Sequence, residues 1–303
     1  MPPARNRARH PDRKALIIPL IMLLLLTAGS VFFYLYQTAR LLDQREVDQT
    51  TRLARSALNA ELNHLGDWAY DYGYWDESVA RLIDDLDPAW ADENIGSYLT
   101  DSYGITASAV YSGEDELLIG FLDGEVQEKN SPLAELREQV QPLLTATRKA
   151  ASDGPKSVTG LVLLSQTIYL AAAQAIMSEH ATENADGPFG VLVLLKAFDP
   201  QLRDRISTEY LLPQLQIQEH RSLAPASLHL TSVSGAPLGF LEWVPQRPGR
   251  KIFHDLAPAI PIPLLLGLGL VVYFQRRMRT FFPGTPRFPK PNGPVWRAWQ
   301  QVP

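Results

Sequence analysis

DWAYDYGYWDES, from Asp67 to Ser78, holds five aromatic rings and three aspartates within twelve residues. Apolar side chains recur around it at helical spacing, so the sequence predicts one long helix through this stretch. Asp71 and Asp76 border the apolar stripe of that helix on opposite sides. The stripe itself consists of Leu65, Trp68, Tyr72, Trp75, Val79, Leu82 and Ile83. The stretch therefore either packs a helix against a sheet or contributes to a binding pocket.

The two interpretations divide the stripe by residue type. Its aliphatic members are expected in the core, as on any amphipathic helix that covers a sheet. Aromatic rings beside carboxylates could instead stack on a flat or cationic ligand and anchor its donors. Tryptophan and tyrosine are also common as half-buried core residues, so both interpretations stay open for the rings. The candidate ligand-binding residues are Trp68, Asp71, Tyr72, Trp75 and Asp76.

Two long uncharged runs lie outside this region, one between Lys14 and Arg40 and one between Asp255 and Arg276. Each is close to the roughly 20 residues that a helix needs to cross about 30 Å of hydrocarbon. The first could be a cleaved signal peptide, but it is longer than the roughly 7 to 15 apolar residues of such a segment. The sequence predicts transmembrane helices at residues 15–36 and 256–275.

The charge distribution predicts the topology of these helices. Residues 1–14 carry a net charge of +4 and residues 256–303 carry +6, whereas the middle carries −15. Basic flanks favour the cytoplasm, so both tails, 1–14 and 276–303, are expected there. Residues 37–255 would form an acidic periplasmic domain of a bacterial inner-membrane protein. Nucleic acid is not an expected partner of so acidic a domain.

The chemistry of the chain argues against several classes of site. It has no cysteine, so it has neither a disulfide framework nor a thiolate nucleophile. Its six histidines lack the spacing of a zinc site, and no nucleophile-elbow or phosphate-loop motif is present. We therefore expect no metal, no cofactor and no enzymatic activity.

The periodicity of the middle segment predicts an α+β domain. From Gln37 to about Asp84 the pattern is helical, and at 1.5 Å per residue this stalk would be about 70 Å long. Shorter helices are predicted after Asp87-Pro88, ending at Gly104, and at 132–150 and 199–212, with Pro142 kinking or splitting the second. Strands are predicted at 105–111, 116–122, 157–164, 166–176, 189–198, 215–220, 227–235 and 236–245. They would form one antiparallel sheet of five to seven strands.

Three segments resemble one known family. DYGYWDESV at 71–79, DPAWADENIGSYLTDSYGI at 87–105 and APLGFLEWVPQRPG at 236–249 are similar to the fourth class of CHASE extracellular sensor domains. The resemblance spans about residues 40–255. It implies a PAS-like or Cache-like fold between two membrane helices, dimerisation through the stalk and a role in sensing. The positions that match the family are Asp71, Tyr72, Trp75, Asp76, Trp90 and Asn94.

Family members are usually joined to GGDEF or EAL enzymes of cyclic di-GMP turnover, or to histidine kinases. After Arg279 this sequence has 24 residues without any such motif. Either the chain is a sensor that works through a separate cytoplasmic output protein, or it is the truncated remnant of a longer cyclic di-GMP receptor. The loss of helical pattern after QRRMR favours the second interpretation. A non-sensing adaptor and a periplasmic enzyme are the alternatives, and the signal, a small molecule or a protein, is not specified.

Overall fold

The structure is a computed structural model that describes residues 13–127, 132–180, 189–222 and 226–281. The chain divides into two compact units, one of Met1–Leu42 with Pro248–Pro303 and one of Asp43–Arg247. The predicted loop at 183–187 and most of both predicted tails lie outside the described residues.

Eight α-helices are found in the described residues. They are α1 (Arg13–Gly73), α2 (Asp76–Ser78), α3 (Pro88–Ile95), α4 (Ser97–Tyr103), α5 (Pro132–Ala151), α6 (Pro200–Glu209), α7 (Pro248–Leu256) and α8 (Pro261–Phe281). A π-helix at Val79–Asp84 follows α2, and a 3-10 turn at Ala257–Ala259 separates α7 from α8. The predicted long N-terminal helix is confirmed.

The first unit contains the apolar parts of α1 and α8. Two helical stretches, Ile18–Gly73 and Pro248–Phe274, are long and apolar enough to cross a membrane, and their most apolar windows are not buried within the protein. Within this unit α7 lies against α1, since a Cβ on Gly249 would come within 1.9 Å of the carbonyl oxygen of Ala39. The Phe253 ring meets Phe32 edge-on at 5.4 Å.

The prediction that α1 continues to about Asp84 is wrong. The helix ends at Gly73 because the next residues pair with the segment that follows β5. Tyr74 forms a parallel bridge with Met177, and the Met177 amide donates to the Gly73 carbonyl at 3.0 Å. Trp75 is extended, with φ −153 and ψ 133. The π-helix that follows has more residues per turn than an α-helix, which shifts the predicted stripe. Leu82 is buried as expected, but Ile83 is exposed.

The shorter helices lie where they were predicted, although α6 ends at Glu209 rather than at 212. Asp87 caps α3 by accepting from the amides of Ala89 and Trp90 at 3.2 and 3.1 Å. The helical pattern up to Gly104 is split at Gly96, where a Cβ would come within 2.6 Å of the Phe121 ring. Helix α5 continues through Pro142 without a split.

The larger sheet has six antiparallel strands in the order β3-β2-β1-β6-β5-β4. These are β1 (Ala107–Tyr111), β2 (Leu117–Leu122), β3 (Glu125–Val126), β4 (Val158–Leu164), β5 (Thr167–Ala175) and β6 (Val191–Ala197). The predicted hairpin of the first two strands and the three later strands are confirmed. The two-residue β3 was not predicted.

Both faces of this sheet are covered. Alternate residues of a strand point to opposite faces. In β6, Val193 and Leu195 pack with Leu136 and Leu144 of α5, whereas Leu192 and Leu194 pack in a second cluster with residues of α1, α3 and α4. Burial on both faces explains why β6 is almost continuously apolar.

The last three strands do not complete the larger sheet, so the prediction of a single sheet is wrong. They are β7 (Gln216–Gln218), β8 (Ala226–Thr231) and β9 (Pro237–Trp243), and they form a separate sheet in the order β7-β9-β8. Its apolar face joins the α1 side of the core through Leu228, Leu241 and Trp243. The turn after β8 reaches β4 through one hydrogen bond, from the Val233 amide to the Leu161 carbonyl at 2.9 Å. The α+β class stands, and the description as PAS-like or Cache-like stays a prediction.

The junction at Gly73 gives a first prediction. A Cβ on Gly73 would lie 2.5 Å from Cγ of the fully buried Gln174, so Gly73→Ala should lower the free energy of unfolding by about 1–3 kcal/mol. Urea unfolding of the full chain in detergent, followed by tryptophan fluorescence, measures this change.

Two further variants isolate the cause. In a Gln174→Ala background the 2.5 Å contact with Cγ is absent while the 2.9 Å contact with Cβ remains, so the cost of Gly73→Ala should fall by about 1 kcal/mol without disappearing. Asn63→Ala, at an exposed position of the same helix, should have little effect. An equal cost of Gly73→Ala in both backgrounds would show that contact with Gln174 is not the cause.

Candidate functional site

Six aromatic side chains from α1, α3, α4 and the extended residues after Gly73 form a continuous row, which we call the aromatic ladder. Its members are Trp90, Trp75, Tyr72, Tyr98, Tyr103 and Trp68. Ring centroids are 5.3 Å apart for Trp75 and Trp90, 6.5 Å for Tyr72 and Trp75, and 4.6 Å for Trp68 and Tyr103. Most members are half-buried, and Tyr98 is 44% exposed.

Three tyrosine hydroxyls meet in the middle of the ladder. Burial raises the pKa of Tyr72 to about 12, helped by the neighbouring Tyr98 and Tyr103 and by the charge of Asp71. The hydrogen bond with Tyr98 raises the pKa of Tyr103, and Asp71 acts in the same direction. Tyr72 and Tyr103 therefore stay neutral at physiological pH and provide hydroxyl donors and acceptors.

Lys196 of β6 closes one end of the ladder. Its Nζ lies 5.4 Å from the centroid of the Trp68 ring and donates to the Tyr103 carbonyl at 3.2 Å. Burial lowers the pKa of Lys196, an effect opposed by the nearby charge of Glu61. Glu61 is a buried carboxylate of α1 that accepts from Arg205 at 2.7 Å and lies 3.9 Å from Lys196. The pairing compensates the cost of placing these charges in the interior.

Asp71 lies at the exposed edge of the ladder. It follows Trp68 by three residues on α1, so the two side chains are neighbours on the helix surface, and its charge contributes to the raised pKa values of Tyr72 and Tyr103. Within the described residues Asp71 has no hydrogen bond and no ion pair. It is thus a carboxylate beside aromatic rings with capacity left for a further donor.

Asp76 has a different environment from the other candidates. Its carboxylate accepts from Ser178 Oγ at 2.5 Å and lies 2.5 Å from His180 Nδ1. These bonds attach the start of α2 to the segment that follows β5. Asp76 therefore holds the local backbone in place, as does the buried Ser78, whose hydroxyl donates to the Tyr72 carbonyl at 2.5 Å.

The structure thus brings together four of the five candidate residues, Trp68, Asp71, Tyr72 and Trp75, while Asp76 bonds elsewhere. Of the two further positions, Trp90 belongs to the ladder. Asn94 donates to the Trp90 carbonyl at 2.8 Å, one turn earlier in α3. The sequence predicts that Trp75 lies on the same continuous helix as Trp68 and Tyr72. In the structure Trp75 has an extended backbone, and its ring contacts Trp90.

Sequence reasoning missed Glu61, Tyr98, Tyr103 and Lys196. The two tyrosines lie in SYLTDSY, inside a segment that had been noted for its resemblance, so their aromatic character was an available signal. Nothing in the sequence marks Lys196 or Glu61, because their partners come from strands and helices far along the chain. Among the described residues no group of three or more carboxylates or histidines could hold a metal ion.

The second unit thus combines a long helix on one face of an antiparallel sheet with an aromatic surface beside an open carboxylate. Residues 57–218 match the CHASE4 domain, a span that covers more than half of the chain. The chain belongs to the CHASE4 domain family. No match was found among curated proteins. All members of the aromatic ladder lie inside the matched span.

The Asp76 and His180 pair gives a prediction about pH. The hydrogen bond to Asp76 raises the pKa of His180 above its ordinary 6.5, and the bonds from Ser178 and His180 lower the pKa of Asp76 below 3.8. The contribution of His180 to stability is present below pH 6.5 and is lost as pH rises through the raised value. That of Asp76 is present above pH 3.8 and is lost as pH falls through the lowered value.

An NMR titration of histidine-labelled protein should therefore place the midpoint of His180 above 6.5. Asp76→Asn should return it towards that value, whereas Asp84→Asn, at another exposed carboxylate, should leave it unchanged. The same midpoint in wild type and Asp76→Asn would contradict the pairing.

Proposed function

We propose that the protein is the sensing part of a two-pass receptor of the bacterial inner membrane. The observation that carries this proposal is the order of segments: a sensor-family match at 57–218 lies between two helices long enough to cross a membrane. Unit Asp43–Arg247 would lie in the periplasm, with both termini in the cytoplasm. The charge distribution supports this orientation, because the segments outside the two apolar helices are basic and the middle is acidic.

The signal is proposed to bind at the aromatic ladder. Trp68, Asp71 and Tyr72 belong to α1, the helix that also contains the first membrane-length segment. A ligand that contacts these side chains more favourably in one position of α1 than in another would shift the balance between the two positions. Sensing then requires no chemistry at the site, which agrees with membership of a non-catalytic sensor family.

The output is proposed to be cyclic di-GMP turnover or histidine kinase activity on the cytoplasmic side, and the resemblance to CHASE-type receptors supports this. Homodimerisation along α1 is part of the same proposal. Leu58 and Leu65 are buried within their own unit, so a dimer contact would use the exposed polar face of α1, which includes Arg45, Asp48 and Arg52.

The orientation can be tested with single cysteines, since the natural sequence has none. With Asn63→Cys in spheroplasts, a membrane-impermeant maleimide should label the protein from outside. With Arg276→Cys, labelling should require permeabilised membranes, because the residue would face the cytoplasm. Labelling of position 276 in intact spheroplasts, or failure to label position 63 there, would contradict the proposed topology.

Sensing can be separated from an adaptor role by thermal unfolding of the full chain in detergent. A low-molecular-mass fraction of spent medium should raise Tm by several degrees, since a ligand at 100 times its Kd stabilises by about 2.7 kcal/mol. Trp75→Ala should lose this shift because it removes the ring between Tyr72 and Trp90.

The matched control is Phe240→Ala, which removes a half-buried ring that stacks on His229 in the smaller sheet and should keep the shift. An adaptor would show no shift in any of the three proteins.

A further inference from the structure

The segment that supplies all six rings of the aromatic ladder is strongly acidic. Residues 67–103 contain ten acidic side chains and one basic side chain, Arg81. Arg81 is already paired, with Glu77 at 3.6 Å and with Asp87 at 3.1 Å. A surface lined by charges of one sign raises the local concentration of ions of the opposite sign. The segment that carries the ladder therefore favours the approach of cations over that of anions.

Lys196 is the one cation in contact with a ladder ring among the described residues, and it does not offer an open anion site. Its side chain is only 13% exposed, and its charge is balanced by Glu61 at 3.9 Å. It does show how the ladder accommodates an ammonium group: over the face of Trp68 at 5.4 Å, with the Tyr103 carbonyl as acceptor. Aromatic faces bind alkylammonium groups through the ring quadrupole, and this contact uses that attraction within the protein.

Asp71 supplies the same chemistry on the exposed side. Its exposed carboxylate lies one helical turn from Trp68 on α1 and has no hydrogen bond or ion pair within the part of the chain that the structure describes. Tyr98, the most exposed ring of the ladder, hydrogen-bonds with both of these tyrosines. A ligand here would meet aromatic faces, neutral hydroxyls and one negative charge.

We propose that the ladder binds a small organic ammonium ion, an alkylamine or a quaternary ammonium compound. The charge of the ligand is held by Asp71, and its alkyl groups lie against the exposed rings of the ladder. This inference rests on the proposed sensing function and adds to it the chemical class of the signal. A neutral ligand of the same shape gains the contact with the rings but not the attraction to Asp71, and an anion is repelled.

The test uses three probes of similar shape on the full chain in nanodiscs at constant ionic strength. Tetramethylammonium chloride is the cation, tert-butyl alcohol the neutral isostere and trimethylacetate the anion, with tryptophan fluorescence as the readout. Tetramethylammonium should give a saturable change with a Kd at least about tenfold lower than that of tert-butyl alcohol, and trimethylacetate should give none. Asp71→Asn should weaken tetramethylammonium binding about five- to tenfold and leave the neutral probe unchanged. Asp153→Asn, at an exposed carboxylate after α5, should change neither.

Two kinds of result overturn the inference, and they have different consequences for the proposed sensing function. If tert-butyl alcohol or trimethylacetate binds as tightly as the cation, or if Asp71→Asn has no effect, the ligand class is wrong while a binding site remains. If tetramethylammonium gives no saturable change, the ammonium site is excluded. The sensing proposal then stands only if the spent-medium fraction still stabilises the wild-type chain and fails to stabilise Trp75→Ala.

Discussion

The arrangement of the sensing unit depends on a close approach between α1 and the larger sheet. Two glycines one heptad apart make this possible: a Cβ on Gly66 would lie 2.9 Å from Thr159 Cγ2, and one on Gly73 would lie 2.5 Å from Gln174 Cγ. With Ala69 between them, fully buried, the helix presents a face without bulky side chains to β4 and β5. Because this face is used for contact with the sheet, the large rings of Trp68 and Tyr72 project beside the contact. There they meet α3 and α4.

The same constraint explains why the aromatic ladder is only half-buried. The sheet side of α1 is filled by small residues, and the other face of the sheet is covered by α5 through Leu136, Val140 and Leu144. The rings are left at the junction of α1 with α3 and α4, where their hydroxyls and Asp71 reach solvent. Glu61 is paired with Lys196 and Arg205, so the open carboxylate of Asp71 is distinct from these structural ion pairs. The carboxylate of the structural ion pairs and the one proposed to bind the ligand thus lie within a few turns of one helix.

Local patterns in the sequence determined most of the elements, and long-range contacts determined the rest. The strands β4 to β6 and the start of α6, where the Asp199 carboxylate accepts from the Leu202 amide at 2.8 Å, could be predicted because periodicity and capping are local. The end of α1 could not be predicted. The helix stops at Gly73 because Tyr74 forms a bridge with Met177, which is about a hundred residues away in the sequence. The separate sheet of β7, β8 and β9 escaped prediction because period-2 alternation says which residues face a core but not which strands pair. Likewise, four candidate site residues could be named from one aromatic stretch of sequence, whereas the contact of Lys196 with this site is visible only in the folded structure.

The backbone contact between Ala39 and Gly249 has an architectural consequence. The chain leaves the first unit after Leu42 and re-enters it at Pro248, so the two crossing points lie within three residues of a pair of atoms in contact. In topological terms the sensing unit is an insertion into a helical hairpin, with its entry and exit held side by side. Units whose ends lie close together are readily exchanged between proteins, because the host keeps its own closed structure. The helical hairpin can therefore accept inserted sensing units of different specificity without a change in the membrane-length helices.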